Sequence, residues 1–432
     1  MNTNAQSLAV RGSLTGFQLS AIAVCIGLNM LDGFDVLAMS FASSGVKAEW
    51  GLSGLRLGWL LSGGLIGMAL GSLALGPCAD LWGRRRIILL AAAVAALGML
   101  ASAGAQGFGQ LLVLRTLTGV GIGGTIANAA VVVSEYSSAR WRSAALAAYS
   151  TGYPVGATLG GALATVAILR YGWRSAFLIG GVLSLAMVVV AWRALPESQD
   201  FLVTRRPRDA LERLNALLAR GGQPPVSALP ERPGAAASDR GVPFRLLLTA
   251  QTLLVWAMFF CTMAAFYFSV SWTPRLLNAA GASAALGLAA GVLFNLGGIA
   301  GCGGFALAAV RFEASRLHLG ALIASAVLIA AFGIAVHHVG AALWTALLLG
   351  LITNAAMSGL YAVGPQLYPT AVRGSGMGWA IGIGRFGAIL APITSGALLD
   401  AGWQPAQLYF LFSAPFAVAA LAMLALGVRK GA

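Results

Sequence analysis

Two acidic residues lie inside an apolar stretch near the start of the chain, in the run Asp32-Gly33-Phe34-Asp35. A carboxylate within a membrane-spanning helix costs free energy and therefore indicates a function. At positions i and i+3 the two side chains share one face of a helix, and two neighbouring carboxylates do not both ionise easily in a medium of low dielectric constant. We therefore expect this pair to carry a proton. The alternative is a helix end that reaches water, but the apolar run of residues 19–41 continues past both carboxylates.

Two arginines also lie within apolar runs, Arg115 in residues 111–133 and Arg385 in residues 375–398. The run that holds Arg385 contains no acidic residue. A guanidinium without a fixed partner can hold a carboxylate through two parallel hydrogen bonds, so we expect Arg385 to bind the carboxylate of a substrate. A structural ion pair between Arg385 and Asp32 is the alternative. The two interpretations are compatible if the substrate and Asp32 compete for the arginine.

The elements that must position these residues are long apolar runs. The chain has 432 residues, of which 59% are hydrophobic and 9% are charged, whereas a soluble domain is about 25% charged. So few charges do not cover a globule of this size, which excludes a soluble enzyme. About 20 apolar residues cross a bilayer as a helix, and the sequence predicts an all-α polytopic membrane protein with twelve such helices in two six-helix halves. The runs are residues 19–41, 57–78, 87–107, 111–133, 143–168, 175–195, 246–270, 284–308, 319–337, 341–364, 375–398 and 406–428.

A long polar stretch divides these runs into six and six. It predicts an N-terminal half at residues 1–195, a linker at residues 196–245 and a C-terminal half at residues 246–432. The linker has no apolar pattern large enough for a folded module. Tyr136 and Tyr368 each precede an arginine and a glycine-rich run, and an internal repeat of this kind is typical of secondary transporters.

The basic residues indicate how the chain is oriented. Of the 27 Lys and Arg residues, twenty fall on the side of the N-terminus, five on the other side and two within the runs. Because basic residues favour the cytoplasmic side, we expect both termini and the linker in the cytoplasm, with the chain in the cytoplasmic (inner) membrane. The net charge of +14 then reflects this topology rather than a nucleic-acid partner.

A glycine-rich and arginine-rich motif stands between the second and third runs. It reads Gly76-x-x-x-Asp80-x-x-Gly83-Arg84-Arg85. The glycines permit a tight turn, and Asp80 can accept charge-assisted hydrogen bonds from the arginines. The motif closely resembles the loop signature of the major facilitator superfamily, which implies twelve helices around a central cleft.

A second cluster stands at the end of the fourth run, where Glu135 is followed by Arg140 and Arg142. It resembles the inner gate cluster of the same superfamily. A solvated loop is the alternative. We expect the Asp80/Arg84 and Glu135/Arg142 clusters to latch the inner side and to break as that side opens.

Within the superfamily, Asp32-Gly33-Phe34-Asp35 resembles the first span of the aromatic acid:H⁺ symporters, which are permeases for 4-hydroxybenzoate, protocatechuate, benzoate and related acids. Further segments resemble that family, and they begin at Arg115, Leu195, Trp272 and Gly384. The resemblance covers nearly the whole chain. It implies proton-coupled uptake of an aromatic carboxylate by alternating access.

The resemblance also makes the first and fourth spans neighbours. At 1.5 Å per residue, Asp35 lies roughly 7 Å and Arg115 roughly 10 Å outside the midplane of the membrane, and Arg385 lies almost at the midplane. Since Asp35 and Arg115 share a depth, we expect them to pair. Asp32, Asp35 and Arg115 are then the residues that couple transport to protons.

Other polar and aromatic residues lie at similar depth. An aromatic acid needs a cation for its carboxylate, a slot for its ring and a partner for a ring hydroxyl. Tyr153 and Tyr267 are the preferred ring contacts, although helix–helix packing explains any one of these residues equally simply. The remaining candidates are Asn128, Phe266, Asn295, Asn354 and Tyr361.

We therefore expect a monomeric transporter and not an enzyme, with an aromatic carboxylate and H⁺ as partners in a lipid bilayer. The four cysteines lack metal spacing and there is no phosphate-binding loop, so neither a metal nor another cofactor is expected. One alternative is a symporter for muconate or another dicarboxylate, which would need a second cation in the cleft. A drug:H⁺ antiporter is disfavoured because the segment around Pro154 only partly resembles the antiporter signature of the superfamily, with Tyr153 where that signature has a glycine before the proline.

Overall fold

The computed structural model of the protein describes residues 15–138, 141–230, 249–335, 339–368 and 373–427. Twelve helices in this part of the chain are long and apolar enough to cross a membrane, and each overlaps one of the predicted apolar runs. The predicted all-α polytopic fold is confirmed, and the protein is a multi-pass membrane protein.

The membrane-spanning helices form two groups. The N-terminal group consists of α1 (Gly16–Trp50), α2 (Gly54–Trp82), α3 (Arg84–Ala103), α4 (Phe108–Glu135), α5 (Arg142–Tyr171) and α6 (Arg174–Ala194). Two short helices follow, α7 (Gln199–Arg205) and α8 (Ala210–Arg220). The C-terminal group consists of α9 (Ala250–Ala279), α10 (Ala284–Ala308), α11 (Ala314–Ala335), α12 (Val339–Val363), α13 (Arg373–Asp400) and α14 (Pro405–Ala425). A 3₁₀ turn (Gly364–Leu367) continues α12.

Polar side chains and one glycine define the two ends of α1. The Thr15 hydroxyl accepts a hydrogen bond from the Gln18 N–H, and the Gln18 side chain accepts one from the Thr15 N–H, which is a capping box. At the other end, Gly51 adopts a φ of +57°, a conformation that glycine takes without steric cost. Ser53 then caps α2 through the Arg56 N–H. These caps fix where α1 begins and ends, and so they fix the depth of the two carboxylates in its middle.

Glycines bring α2 onto α4 and, at the equivalent place in the second group, α10 onto α12. Gly67 and Gly71 lie directly on the backbone of α4, where a Cβ atom would overlap carbonyl oxygens. Gly297 and Gly301 lie on the backbone of α12 in the same way. Small residues four apart allow such close helix contact in membranes. The two groups therefore repeat the same packing device, as the internal repeat in the sequence suggests.

The hydrogen bonds found between the two groups, within the described part of the chain, all lie at one end of the bundle. They join Ser40 to Val270 and Ser271, Asn278 to Ser44, Ser62 to Ile389, and Asp400 to Gly54 and Leu55. At 1.5 Å per residue, the stretch from the start of α2 to Ser62 closes about 12 Å of this end. We name it the sealed end. The opposite end, which carries the start of α1 and the α2–α3 turn, is the open end.

The linker begins with a small folded unit, which the sequence analysis did not predict. Helices α7 and α8 pack through a cluster of four buried residues, Leu202, Val203, Leu214 and Leu218. The unit is attached to the N-terminal group, since the Arg205 side chain donates to the Asp80 carbonyl (2.9 Å) and Arg220 lies over the Phe17 ring (4.3 Å). The first part of the linker therefore belongs with α1–α6.

Candidate functional site

The two carboxylates of α1 are both buried, with 5% of Asp32 and 3% of Asp35 exposed. They point towards different neighbours. Asp32 lies beside Tyr149 and Tyr153 of α5, whereas Asp35 accepts a hydrogen bond from the Ser184 hydroxyl of α6 (3.4 Å). One oxygen of each carboxylate has no hydrogen-bond partner in the described chain. Such buried, incompletely satisfied oxygens can be protonated or can receive a new donor.

Close contact between α1 and α5 positions Asp32. Gly33 lies directly on the backbone of Tyr153, where a Cβ atom would overlap the carbonyl oxygen. One turn away, the Asn29 side chain donates to the Tyr149 carbonyl (2.6 Å). A residue larger than glycine between the two carboxylates would therefore push the helices apart. The glycine serves to bring Asp32 next to Tyr153.

Arg115 is held by residues of the N-terminal group, which the sequence analysis did not identify. Its guanidinium donates to the hydroxyls of Ser102 and Thr118 (both 2.9 Å) and lies over the Phe177 ring (4.7 Å). Arg115 and Asp35 line one small cavity, but they are not within ion-pair distance, so the predicted direct pair is absent from this conformation. The available signal was Thr118, which lies three residues after Arg115 and so on the same helix face.

Arg385 is half-buried in the middle of α13 and has no acidic partner in the described residues. Its Nη1 atom is buried without a hydrogen-bond partner. Three tyrosines, Tyr153, Tyr267 and Tyr361, lie within electrostatic range of the guanidinium. The alternative of an Arg385–Asp32 ion pair is therefore not realised here. Tyr153 is instead within electrostatic range of both charges.

These residues lie at the closed end of a cleft between the two helix groups. Arg385 is one turn of α13 further from the sealed end than Ile389, and Tyr267 is one turn of α9 further than Ser271, two residues whose carbonyls bond the groups together. Tyr361 keeps 42% of its surface exposed even though it lies beside Arg385. The two groups are thus bonded together just beyond Arg385, and Tyr361 beside it keeps exposed surface.

Two of the tyrosines near the guanidinium pack against phenylalanine rings. Phe266 and Tyr267 of α9 meet edge to face with ring centroids 5.4 Å apart. Phe259 and Tyr361 meet in the same manner at 6.0 Å. Edge-to-face pairs hold rings rigidly, so the walls beside Arg385 offer flat apolar surface for a planar ligand. The predicted ring contacts Tyr153 and Tyr267 therefore lie within range of Arg385, whereas the candidate Phe266 packs against Tyr267 and Phe294.

Asn128 and Asn354 are placed differently. The Asn128 amide donates to the Gly124 carbonyl of its own helix (2.8 Å), and it also reaches α2. Asn354 donates to the Gly350 carbonyl (2.9 Å) and packs against Gly298 of α10. Both side chains are used in helix–helix packing in this conformation, which is the alternative stated for them above.

The loop motif at the open end forms an ion-pair cluster. Arg84 contacts Asp80 (3.3 Å) and Glu135 (3.4 Å). Gly83 adopts a φ of +101° between them, a region that favours glycine. Arg142 is exposed and forms no ion pair with the described residues. The predicted Glu135–Arg142 contact is therefore replaced by Glu135–Arg84.

The same cluster extends into the segment after α6. Glu197 accepts a hydrogen bond from the Arg85 N–H (3.0 Å), and the Ser198 hydroxyl donates to Glu135 (2.9 Å). The Tyr136 hydroxyl donates to the Glu197 carbonyl (2.6 Å), and burial raises the pKa of this phenol, which keeps it a donor. All members belong to the N-terminal group and its linker. The cluster is formed in this conformation, and the expectation that it breaks as the inner side opens stays a prediction.

Comparison with known proteins assigns the chain to a family. The sequence profile of the Major Facilitator Superfamily matches residues 22–316. The chain belongs to the major facilitator superfamily. The expected family is confirmed on this basis, together with the relatives below.

Relatives within the superfamily are named as transporters of aromatic acids. The 4-hydroxybenzoate transporter PcaK of Pseudomonas putida is 33% identical over 98% of this chain and 95% of its own length. The gallate transporter of Pseudomonas putida is also 33% identical, over 96% of this chain and 93% of its own length. The 3-(3-hydroxy-phenyl)propionate transporter of Escherichia coli is 30% identical over 95% of this chain and 94% of its own length.

Solved structures of the superfamily share the fold. The partially occluded inward-open structure of the xylose transporter XylE from E. coli matches with a TM-score of 0.76 and 17% identity, over 96% of this chain and 100% of that chain. At this identity the likeness shows the fold alone. It agrees with the twelve-helix architecture described above.

Proposed function

We propose that the protein imports an aromatic carboxylate together with protons across the cytoplasmic membrane by alternating access. Its family membership and the names of its relatives support transport of an aromatic acid. The acids in the names of these relatives, 4-hydroxybenzoate, gallate and 3-(3-hydroxy-phenyl)propionate, share a planar ring and one carboxylate.

The observation that carries the proposal is the unpaired guanidinium of Arg385 at the closed end of the cleft. A half-buried cation without a partner is unfavourable, and a carboxylate ligand removes that penalty through two charge-assisted hydrogen bonds. Tyr153, Tyr267 and Tyr361 surround it with rings and phenol groups. In the proposed complex, the ring of the substrate lies between these aromatic walls and its carboxylate lies on Arg385.

Charge balance in the centre of the protein gives a reason for proton coupling. Asp32 and Asp35 carry two negative charges when ionised, and Arg115 and Arg385 carry two positive charges, so the empty centre is neutral. A bound carboxylate adds one negative charge in a medium of low dielectric constant, which is costly. One proton taken up on Asp32 or Asp35 restores neutrality. The proposal therefore predicts at least one proton for each substrate anion.

Asp32 is the better placed of the two for direct coupling. It lies beside Tyr153, which is also in range of Arg385, so the charge on Asp32 acts on the substrate site through one residue. Asp35 lies further from the cleft, in the cavity shared with Arg115. In this scheme the Asp35–Arg115 cavity stores the proton while the helix groups move.

The two helix groups move relative to each other as two bodies joined by the linker. The bias of basic residues supports a cytoplasmic location for both termini and the open end. The structure then corresponds to the inward-facing state, with the hydrogen bonds around Ser62 and Asp400 closing the outside. The outward-facing state forms when these bonds break and the open end closes.

A dicarboxylate substrate is less well supported. It would need a second cation in the cleft, and Arg115 is instead occupied by Ser102, Thr118 and the Phe177 ring. This leaves one cation facing the aromatic walls, which suits a monocarboxylate.

Uptake of radiolabelled 4-hydroxybenzoate, gallate and benzoate by cells that produce the protein tests the proposal, with and without a protonophore. We expect accumulation of at least one of these acids above the level of control cells, and we expect the protonophore to abolish it. If none of the acids accumulates, or if accumulation survives the protonophore, the proposal is wrong.

A further inference from the structure

Two basic side chains from opposite helix groups lie close together at the sealed end. Lys47 is near the end of α1 and Arg275 is near the end of α9, and the two lie within electrostatic range of each other. A hydrogen bond from the Asn278 amide to the Ser44 hydroxyl (2.9 Å) joins these helices. Lys47 lies three residues beyond Ser44 towards the end of α1, whereas Arg275 lies three residues before Asn278 on α9, so the two residues are on opposite sides of that bond along the helix axes. The packing of α1 on α9 therefore brings two like charges together when this end closes.

Among the described residues, Arg275 has no hydrogen-bond or ion-pair partner for its side chain. Its Nε atom is buried without a hydrogen bond, and no carboxylate of the described chain lies within ion-pair distance of its guanidinium. The side chain is half-buried. An unpaired and partly dehydrated guanidinium next to a second cation is unfavourable. A site of this kind gains free energy when an anion reaches it.

The acidic residues at the sealed end are already engaged. Glu49 binds the Arg174 guanidinium (2.6 Å) and the Trp173 indole N–H (2.7 Å). Asp400 is in electrostatic range of Lys47. Both of its oxygens, however, accept hydrogen bonds from backbone N–H groups at the start of α2, at 2.6 and 2.8 Å. Lys47 and Arg275 together thus outnumber the one acid that faces them.

We propose that Lys47 and Arg275 form an outer receiving site, which attracts the substrate carboxylate before it moves to Arg385. The inference rests on the proposed function, since it takes the sealed end to face outside and the substrate to be an aromatic monocarboxylate anion. When the sealed end opens, Lys47 stays on one wall of the vestibule and Arg275 on the other. Both cations then face the incoming anion, and their field raises its local concentration.

The same helix connects the receiving site with the central site. Arg275 is eight residues beyond Tyr267 on α9, a rise of about 12 Å. A substrate that leaves Arg275 therefore needs to travel only about two helical turns to reach the aromatic walls beside Arg385. Closure then returns Asp400 to the backbone N–H groups at the start of α2.

The test is the concentration dependence of initial uptake of 4-hydroxybenzoate in proteoliposomes, at low and at physiological ionic strength. Lys47→Gln and Arg275→Gln are the variants, and Arg170→Gln is the matched control because Arg170 is an exposed arginine at the same end, on α5. We expect KM to rise about three- to tenfold for each variant at low salt, in keeping with the loss of one charge near the path. We expect kcat to stay within about twofold.

The difference should shrink as salt is added, because the Debye length falls from about 30 Å at 0.01 M to about 8 Å at 0.15 M. Lys47→Arg and Arg275→Lys keep the charge and should keep the wild-type KM. The equilibrium Kd of the purified protein for 4-hydroxybenzoate should be unchanged in both neutral variants, since the central site is intact.

Unchanged KM and salt dependence in both neutral variants, with normal uptake by the wild type, would overturn the receiving site alone. A rise in the equilibrium Kd equal to the rise in KM would also overturn it, because it would place the two residues in the central site or its framework. Absence of uptake by the wild type would overturn the proposed function, and the receiving site with it.

Discussion

Replacement of Arg385 by glutamine gives the most informative single substitution. Glutamine keeps hydrogen-bonding capacity and removes the positive charge, so the variant isolates the attraction between the guanidinium and a carboxylate. Arg385→Lys is the matched variant, since it keeps the charge and loses the two parallel hydrogen bonds.

The expected magnitude follows from the surroundings of Arg385. Loss of one partner from a fully buried charged pair costs about 2–5 kcal/mol. Arg385 is half-buried and Tyr361 beside it keeps exposed surface, so the lower part of that range applies. A loss of about 2–3 kcal/mol corresponds to a roughly 30- to 150-fold rise in Kd for 4-hydroxybenzoate. The lysine variant should lie between glutamine and the wild type.

The assay is isothermal titration calorimetry of purified protein with 4-hydroxybenzoate and with its methyl ester. The ester has the same ring and hydroxyl but no carboxylate charge. We expect the ester to bind wild type and Arg385→Gln with a Kd within about threefold of each other, because it makes no charged contact. The exposed-site variant Arg170→Gln controls for the loss of a charge elsewhere, and the melting temperature of each variant checks folding.

Two results would refute the reasoning. The first is a Kd for 4-hydroxybenzoate in Arg385→Gln equal to that of the wild type. The second is an equal loss of affinity for acid and ester, which would mean that Arg385 supports the shape of the cleft rather than the carboxylate.

Four further substitutions, one of them with a matched control, test other parts of the account. Asp32→Asn and Asp35→Asn should each abolish the accumulation of substrate that a pH gradient drives. Each variant should still exchange external for internal substrate at a tenth of the wild-type rate or more. Loss of both activities together would count against a proton-carrying role. Asp400→Asn weakens the two hydrogen bonds to the start of α2. A membrane-impermeant thiol reagent should therefore label a cysteine placed in the sealed end several times faster in this variant than in the protein with Asp400. An unchanged labelling rate would show that the carboxylate does not hold this end closed. Gly83→Ala places a Cβ atom against the Glu197 carboxylate at a residue whose φ is +101°, so it should lower the melting temperature by several degrees. Gly303→Ala in the second half is the control and should not lower it, because no atom lies within 4 Å of the added Cβ. Equal effects of the two substitutions would contradict the packing at Gly83.

The sequence was sufficient to predict the helices, because the length of an apolar run is itself the physical requirement for crossing a membrane. It also selected the candidate functional residues, since a charge in such a run is rare and costly. Asp32, Asp35, Arg115 and Arg385 could all be selected in this way. The α7–α8 unit was missed because four apolar residues within a charged segment give too weak a pattern to predict a core.

Partners were harder to predict than positions. Residue counting gives the depth of a side chain along a helix, but the rotation of that helix and the reach of the side chain depend on packing. Arg115 was therefore placed at the depth of Asp35, although its guanidinium bonds to Ser102 and Thr118 instead. Glu135 likewise forms its ion pair with Arg84 rather than with Arg142.

Polar residues in the spans show the same limit. An asparagine in a membrane helix can satisfy its amide on the carbonyl four residues earlier, as Asn128 and Asn354 do. Its polarity alone therefore does not indicate whether it faces a cleft. Tyr153 and Tyr267 could be named as candidate ring contacts from the sequence, but only the structure shows that three different helices bring them and Tyr361 within range of one guanidinium.

The central claim is that an aromatic carboxylate enters together with protons. The most direct measurement is the pH of a lightly buffered medium outside proteoliposomes when 4-hydroxybenzoate is added, with protein-free vesicles and Arg385→Gln proteoliposomes as controls. The account predicts that the medium becomes alkaline faster with the wild-type protein than with either control, with at least one proton consumed per labelled anion taken up. Uptake of labelled anion by the wild type without any alkalinisation beyond the controls would contradict it.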